Sequence, residues 1–217
     1  YFQEDKNTLD ILIKGNWSQL IPIGTNNSYD VDYKNNLILA EGAEFSLQDF
    51  MIFGSHNAKN VISAIAATNV NGVSVEEAIN ALQSFQGVKR RLELKYQDSS
   101  IIIIDDFAHH PTAIKYSIDA VKRKFKESKL IGLIELGSNT MSDGIHGDSL
   151  VKAASDLDSV IWIDEKGVLL ESSNTTFASD TLCINALKKD LKKYDILLIM
   201  TNKNSERLWK PIIEYIQ

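Results

Sequence analysis

Apolar and polar positions change period twice along this chain, and each period predicts a different kind of element. Up to about residue 53, short apolar clusters at 9–14, 18–23, 29–33 and 37–40 are separated by turn chemistry, Asn26-Asn27-Ser28 and Lys34-Asn35-Asn36. The pattern predicts an antiparallel meander able to form one edge of a larger sheet. Then Val61, Ile62, Ala64, Ile65, Ala66 and Ala67 fill most sides of a helix over 57–70, the mark of a buried helix. A second helix starts at Ser74, with Glu77 three residues on as capping-box partner, and Ala78, Leu82 and Phe85 along its inner face. Gly87 closes this block, and the domain boundary is placed there.

From Arg91 the order becomes strand, strand, then helix and strand in alternation. Segments 92–96 and 101–105 read as a hairpin around Asp98-Ser99, followed by a helix over 112–125 and a buried strand over 130–136. A helix over 146–155, a strand over 159–164, a helix over 182–191, a strand over 195–201 and a helix over 206–216 complete the chain. Strands alternating with helices of this length predict an α/β fold, a Rossmann-like and mostly parallel sheet with right-handed crossovers.

Composition narrows the function classes. The 217 residues are 44% hydrophobic and 24% charged, ordinary for a globular protein. A net charge of −6 argues against a general nucleic-acid surface. The single cysteine excludes an internal disulfide and a multi-cysteine metal site, and fits a reducing cytoplasm. No apolar run reaches the roughly 18 residues that a membrane helix needs. The opening Tyr1-Phe2-Gln3 fits a protease-tag remnant or the native sequence of a chain cut from a longer protein; the motifs below favour a fragment.

The densest chemistry lies at one strand exit. Asp105-Asp106-Phe107-Ala108-His109-His110-Pro111-Thr112 follows the isoleucine run 101–104, and ligands of open α/β sheets bind beyond the carboxyl ends of strands. A carboxylate there suits ribose hydroxyls, and a histidine suits phosphate contact or acid–base work. The plain alternative is helix capping by Asp106 with one packed histidine. Upstream, Gly54-Ser55-His56-Asn57-Ala58-Lys59-Asn60 opens the buried helix, and Asn57 and Asn60, three apart, share a face where carboxamides match a purine edge. Capping by Ser55 or Asn57 is the plain reading. In Lys89-Arg90-Arg91-Leu92-Glu93, an arginine at a domain junction suits phosphate, or the stretch is a solvated hinge. Finally, Glu135-Leu136-Gly137-Ser138-Asn139-Thr140-Met141 follows the next strand and would face the same cleft, or form an ordinary loop. No G-x-x-x-x-G-K-[ST] loop occurs in the sequence.

The ordered set G-x-H-N-x-x-N, R-R-x-E and D-D-x-x-H-H-P-T resembles the Mur ligase family of ATP-dependent amide-bond-forming enzymes. Phe107-Ala108 and Ser138-Asn139-Thr140-Met141 look like its murein-recycling branch; the L-alanine-adding branch has Tyr-Gly in place of Phe107-Ala108. The resemblance implies that 1–87 is the end of a central ATPase domain and 88–217 a C-terminal Rossmann-like domain. It implies that ATP is contacted by Asn57, Asn60, Arg91, Asp106 and His109, with His109 the one candidate for a catalytic role. Ser138, Asn139 and Thr140 would fall on the peptide side. Mg²⁺ would be held mostly outside these residues, with no metal ligand among them. The implied substrates are UDP-N-acetylmuramate and a murein tripeptide, joined through an acyl phosphate. Neither nucleic acid nor membrane is an expected partner, and the fragment alone is expected to be inactive. A non-catalytic nucleotide- or peptide-binding module is the reading from another class.

Two departures stand out. Leu136-Gly137 replaces the Pro-Arg of that branch, so peptide recognition is either lost or supplied by another residue. Thr201-Asn202-Lys203-Asn204-Ser205 replaces its glycine-rich Ser-Asn-Gly-Gly turn.

Overall fold

The structure, a computed structural model, describes residues 1–50, 52–138, 141, 143–144, 147–169 and 176–217. They form two compact units, Tyr1–Gly87 and Val88–Gln217.

The first unit begins with helix α1 (Lys6–Leu12), where the pattern at 9–14 predicted a strand. Asp5 overrides that alternation: its carboxylate accepts from the backbone N–H groups of Asn7 and Thr8, satisfying the orphan donors of the first turn. The cluster at 18–23 is no strand either, and only Ile23 pairs, in an isolated bridge to Phe2. Strands β1 (Tyr29–Asp32), β2 (Leu37–Ala40) and β3 (Ala43–Ser46) make a three-stranded antiparallel sheet. Strand β3 leaves no signal in the hydrophobic pattern, because its residues are exposed or half-buried and carry little alternation. Glu41 and Gly42, both at positive φ, form the two-residue turn between β2 and β3.

Helix α2 (Ser55–Val70) buries Ala58, Val61, Ile62, Ile65 and Ala66. They pack in one core with Val31, Ile38 and Ala40 of the sheet and with Ala78 and Ile79 of α3 (Val75–Gln83). The Ser74–Glu77 capping box forms as read. Phe85 does not follow the inner face of α3: the helix ends at Gln83, and Phe85 is left 41% exposed.

The second unit is a six-stranded sheet in the order β4-β5-β9-β6-β7-β8. Strand β4 (Glu93–Gln97) pairs antiparallel with β5 (Ile102–Asp106). From β5 onward every pairing is parallel, through β9 (Ile196–Met200), β6 (Leu130–Glu135), β7 (Ser159–Ile163) and the two-residue β8 (Thr176–Phe177). The all-buried patterns of β6 and β9 reflect cover on both faces, as parallel sheets require. On one face, Ile103, Leu133, Ile161, Leu197 and Ile199 pack against Cys183 and Leu187 of α6 (Asp180–Asp190) and Leu208 and Ile212 of α7 (Glu206–Ile216). Helices α4 (Pro111–Lys124) and α5 (Gly147–Ala153) contact each other, as α6 and α7 do. Among the described residues, no helix is long and apolar enough to cross a membrane.

Cys183 lies wholly inside this core, and burial pushes its thiol up to about 12. Since the thiolate is the reactive form, Cys183 is expected to resist a disulfide reagent such as DTNB at pH 8 and to react stoichiometrically once denaturant is added. Fast labelling of the folded chain would contradict the packing described.

Candidate functional site

The carboxyl ends of β5 and β6 carry buried acids, Asp105 and Asp106 on the first and Glu135 on the second, beside the carboxyl end of the wholly apolar β9. Consecutive strand residues face opposite sides, so Asp105 and Asp106 diverge. Asp105, in phase with Ile103, reaches the α7 side, where Ser205 Oγ donates to its Oδ2 at 2.6 Å. Asp106 reaches the α4 side: Ser117 Oγ donates to its Oδ1 at 3.1 Å, the Ala108 N–H to the same oxygen at 2.8 Å, and the Leu92 N–H to Oδ2 at 2.8 Å. It is 3% exposed. A carboxylate offers about four acceptor positions, so three are taken by the protein. Capping of α4 falls instead to His110, whose Nδ1 accepts from the Thr112 N–H at 3.3 Å.

His109 turns the other way. Its Nδ1 lies 2.8 Å from the Phe107 carbonyl. A carbonyl can only accept, so Nδ1 carries the proton, and Nε2 of the neutral ring is an acceptor. The ring also meets Phe107 edge-on, with centroids 5.0 Å apart.

Arg90 and Arg91 have separate fates. Arg90 folds inward: its guanidinium donates to the Thr201 carbonyl, and its Nε stands 3.6 Å from Asp105 Oδ2. Arg91 is exposed, its guanidinium carbon 5.7 Å from the centre of the Phe107 ring. The solvated-hinge alternative thus fails for Arg90 in its local contacts.

In the first unit, α2 starts without a side-chain cap, so neither Ser55 nor Asn57 caps it. Asn57 Nδ2 donates to the Phe53 carbonyl at 2.8 Å, and Asn60 Nδ2 donates to Asn57 Oδ1 at 3.3 Å. The two carboxamides do share a face, and Asn60 is the exposed one. Arg91 and His109 come together on the Phe107 ring in the second unit, while Asp106 faces α4.

A second cluster went unread in the sequence. Glu135 closes β6 at 1% exposure. It accepts from Thr201 Oγ1 at 2.5 Å, and pairs with Arg207 at 2.5 Å and Lys203 at 3.1 Å. Arg207 also pairs with Asp180, and Lys203 with Glu165 at 3.3 Å. Burial pulls the Lys203 ammonium down, but Glu135 and Glu165 outweigh it and hold it above the usual lysine range. Arg207 behaves likewise: burial lowers it, and Asp180 and Glu135 raise it more. The available signal was a lone acid ending an apolar strand, since a buried charge requires a partner.

The two departures meet here. A Cβ on Gly137 would lie 2.3 Å from Asn202 Oδ1 and 3.2 Å from Lys203 Cγ. The turn after β9 therefore fills the space that a side chain at 137 would need. Ser138 Oγ accepts from the Met141 N–H at 3.3 Å, while Asn139 and Thr140 lie outside the described residues. Among the described residues, no group of three His, Cys, Asp or Glu side chains could hold a metal ion.

Comparison with known proteins gives a consistent answer. The family model "Mur ligase, glutamate ligase domain" matches residues 90–202. The UDP-N-acetylmuramate–L-alanyl-γ-D-glutamyl-meso-2,6-diaminoheptandioate ligase of Haemophilus influenzae is 33% identical over 165 residues, 73% of this chain and 36% of that protein. The UDP-N-acetylmuramate–L-alanine ligase of Clostridium kluyveri is 31% identical over 148 residues, 68% of this chain and 32% of its own. Among solved structures, a murein peptide ligase from Psychrobacter arcticus aligns with a TM-score of 0.67 at 29% identity, covering 96% of this chain and 49% of that one. The chain thus spans about a third of the length of the curated relatives it matches.

Burial raises the Asp105 carboxyl above its ordinary 3.8, against the pull of Ser205 and Arg90. A raised carboxylate binds its proton more tightly when folded, so it costs stability as pH climbs from 3.8 through the raised value. Asp105→Asn is therefore expected to gain on the wild-type chain across that rise in urea unfolding. A constant gap between the two chains would reject the shift.

Proposed function

This chain belongs to the Mur ligase family, and we propose on that footing that its parent is an ATP-dependent ligase acting in peptidoglycan recycling. In this reading the parent joins L-alanyl-γ-D-glutamyl-meso-diaminopimelate to UDP-N-acetylmuramate. The muramoyl carboxylate is phosphorylated at the expense of ATP, the peptide amine attacks the acyl phosphate, and phosphate leaves. The catalytic demand is chiefly positioning and charge neutralisation. One observation carries the reading: the matched residues 90–202 contain the whole carboxyl-edge set of Arg91, Asp106, His109 and Glu135.

Residues 1–87 then correspond to the end of the family's central ATPase domain and 88–217 to its C-terminal domain. Arg91 is the phosphate-side cation, exposed and able to donate in a bidentate fork. Asp106 has one acceptor position to offer a ribose hydroxyl, on Oδ2, the oxygen that takes a single bond. His109 presents Nε2 to the nucleotide side. Asn60, with free amide valence, faces the base, and Asn57 orients it through their mutual hydrogen bond. Ser138, Asn139 and Thr140 are assigned to the peptide side. Magnesium belongs to the parent's reaction in this reading, with its ligands mostly outside these residues. The chain alone is expected to be inactive, and the parent cytoplasmic.

The deciding assay supplies the full-length parent with UDP-N-acetylmuramate, ATP and Mg²⁺, plus either the tripeptide or L-alanine. Phosphate release coupled to UDP-muramoyl-tripeptide is expected. Turnover with L-alanine alone would move the assignment to the branch represented by the Clostridium relative, and turnover with neither would leave a binding module.

Asp106→Asn in the parent is expected to weaken ATP binding by roughly 1.5–3 kcal/mol, one hydrogen bond to a charged group. Unchanged affinity by calorimetry would remove Asp106 from the nucleotide site. Unfolding of the same variant must be followed alongside, since the carboxylate also anchors Leu92, Ala108 and Ser117.

A further inference from the structure

The segment between residues 89 and 93 holds two non-glycine residues in the left-handed region, Arg90 at φ 60° and Leu92 at φ 50°. Leu92 is the more costly, being a bulky residue with no side-chain hydrogen bond to offset the conformation. Such outliers persist only where their surroundings over-determine them, and they concentrate at functional positions. The surroundings here do so. The Arg90 N–H donates to Glu93 Oε2 at 2.7 Å, and the Arg90 carbonyl accepts from the Phe107 N–H at 2.8 Å. The Arg91 N–H donates to the Val88 carbonyl at 3.0 Å, and the Leu92 N–H to Asp106 at 2.8 Å. Leu92 itself is buried at 6% exposure.

The residue that these two bracket is Arg91. Among the described residues it makes no ion pair. Its guanidinium instead lies over the Phe107 ring, 5.7 Å from centroid to Cζ, within cation–π range. The same ring carries Arg90 at 5.0 Å and the edge contact of His109. Arg90 cannot leave, because Thr201 and Asp105 hold it. Phe107 is thus pinned by its backbone bond to Arg90 and by the locked guanidinium, while the other adjacent cation rests on it facing solvent.

We propose that Phe107 is a positioning residue for Arg91: its ring, fixed by Arg90, holds the Arg91 guanidinium extended and ready for an anionic phosphate oxygen. This rests on the reading of Arg91 as a nucleotide contact. Holding the side chain on the ring removes rotamer freedom before the ligand arrives, so less is lost on binding. The ring does not touch the ligand; it acts through Arg91.

The test is a double-mutant cycle in the full-length parent, with ADP and Mg²⁺ as the probe and calorimetric Kd as the readout. Phe107→Leu is expected to raise Kd about two- to fivefold, the scale of one exposed cation–π contact. Phe107→Tyr, which keeps the ring, is expected to bind as the wild type does. Arg91→Ala is expected to raise Kd about tenfold or more, the scale of a charged hydrogen bond. Adding Phe107→Leu to Arg91→Ala is expected to cost nothing further, because a residue that acts only through Arg91 has nothing left to position. An equal penalty in both backgrounds, or normal binding by Phe107→Leu when Arg91→Ala binds weakly, overturns the proposal. Wild-type parent that does not bind ADP, or Arg91→Ala that binds it normally, overturns the nucleotide reading itself. Thermal unfolding of each variant separates a misfolded preparation from a binding defect, and Phe107→Met, which also removes the ring, takes the place of Phe107→Leu in the cycle if the latter does not fold.

Discussion

Carboxylates withdrawn from water at the carboxyl edge of an apolar sheet impose the constraint on which the second unit depends. Asp105, Asp106 and Glu135 end strands otherwise built from Ile, Leu and Gly, and each is almost wholly buried. A buried carboxylate must find donors within the protein or lose its charge. Each recruits a different neighbour: Asp105 takes Ser205 and Arg90, Asp106 takes Ser117 and two backbone N–H groups, and Glu135 takes Thr201, Lys203 and Arg207. The elements so tied are the segment before β4, the middle of α4, the turn after β9 and the first turn of α7.

Much of this was legible. Four-residue apolar runs bounded by polar residues are strong strand signals, and β5, β6, β7 and β9 were read within a residue or two of their bounds. The failures lie where a local interaction outweighs periodicity. Leu9, Ile11 and Ile13 alternate as a strand would, yet Asp5 captures two N–H groups and starts a helix none of whose residues is buried. The pairing of Glu135 with Arg207 spans 72 residues, and no local pattern announces such a bond. Asp106 was read as a candidate cap or ribose ligand; its three protein partners became visible only once β5, α4 and the junction stood side by side.

Gly137 shows how two apparent oddities reduce to one. Viewed separately, Gly137 and the turn at 201–205 are two unrelated departures from the resemblance. In the fold, Asn202 and Lys203 occupy the volume over Gly137. A side chain at 137 would require those of Asn202 and Lys203 to move, so the two turns share one volume.

Strand order carries a consequence for how the chain is made. Strand β9 lies between β5 and β6, yet in the chain it follows both of them, and β7 and β8 as well. Until residue 200 has emerged, the partners that flank it hold open hydrogen-bonding edges lined with isoleucine and leucine, the type of surface that invites mispairing between chains. The sheet is completed from its middle: the β5–β9 and β9–β6 ladders can close only after the strand that comes last in its sequence order has been made.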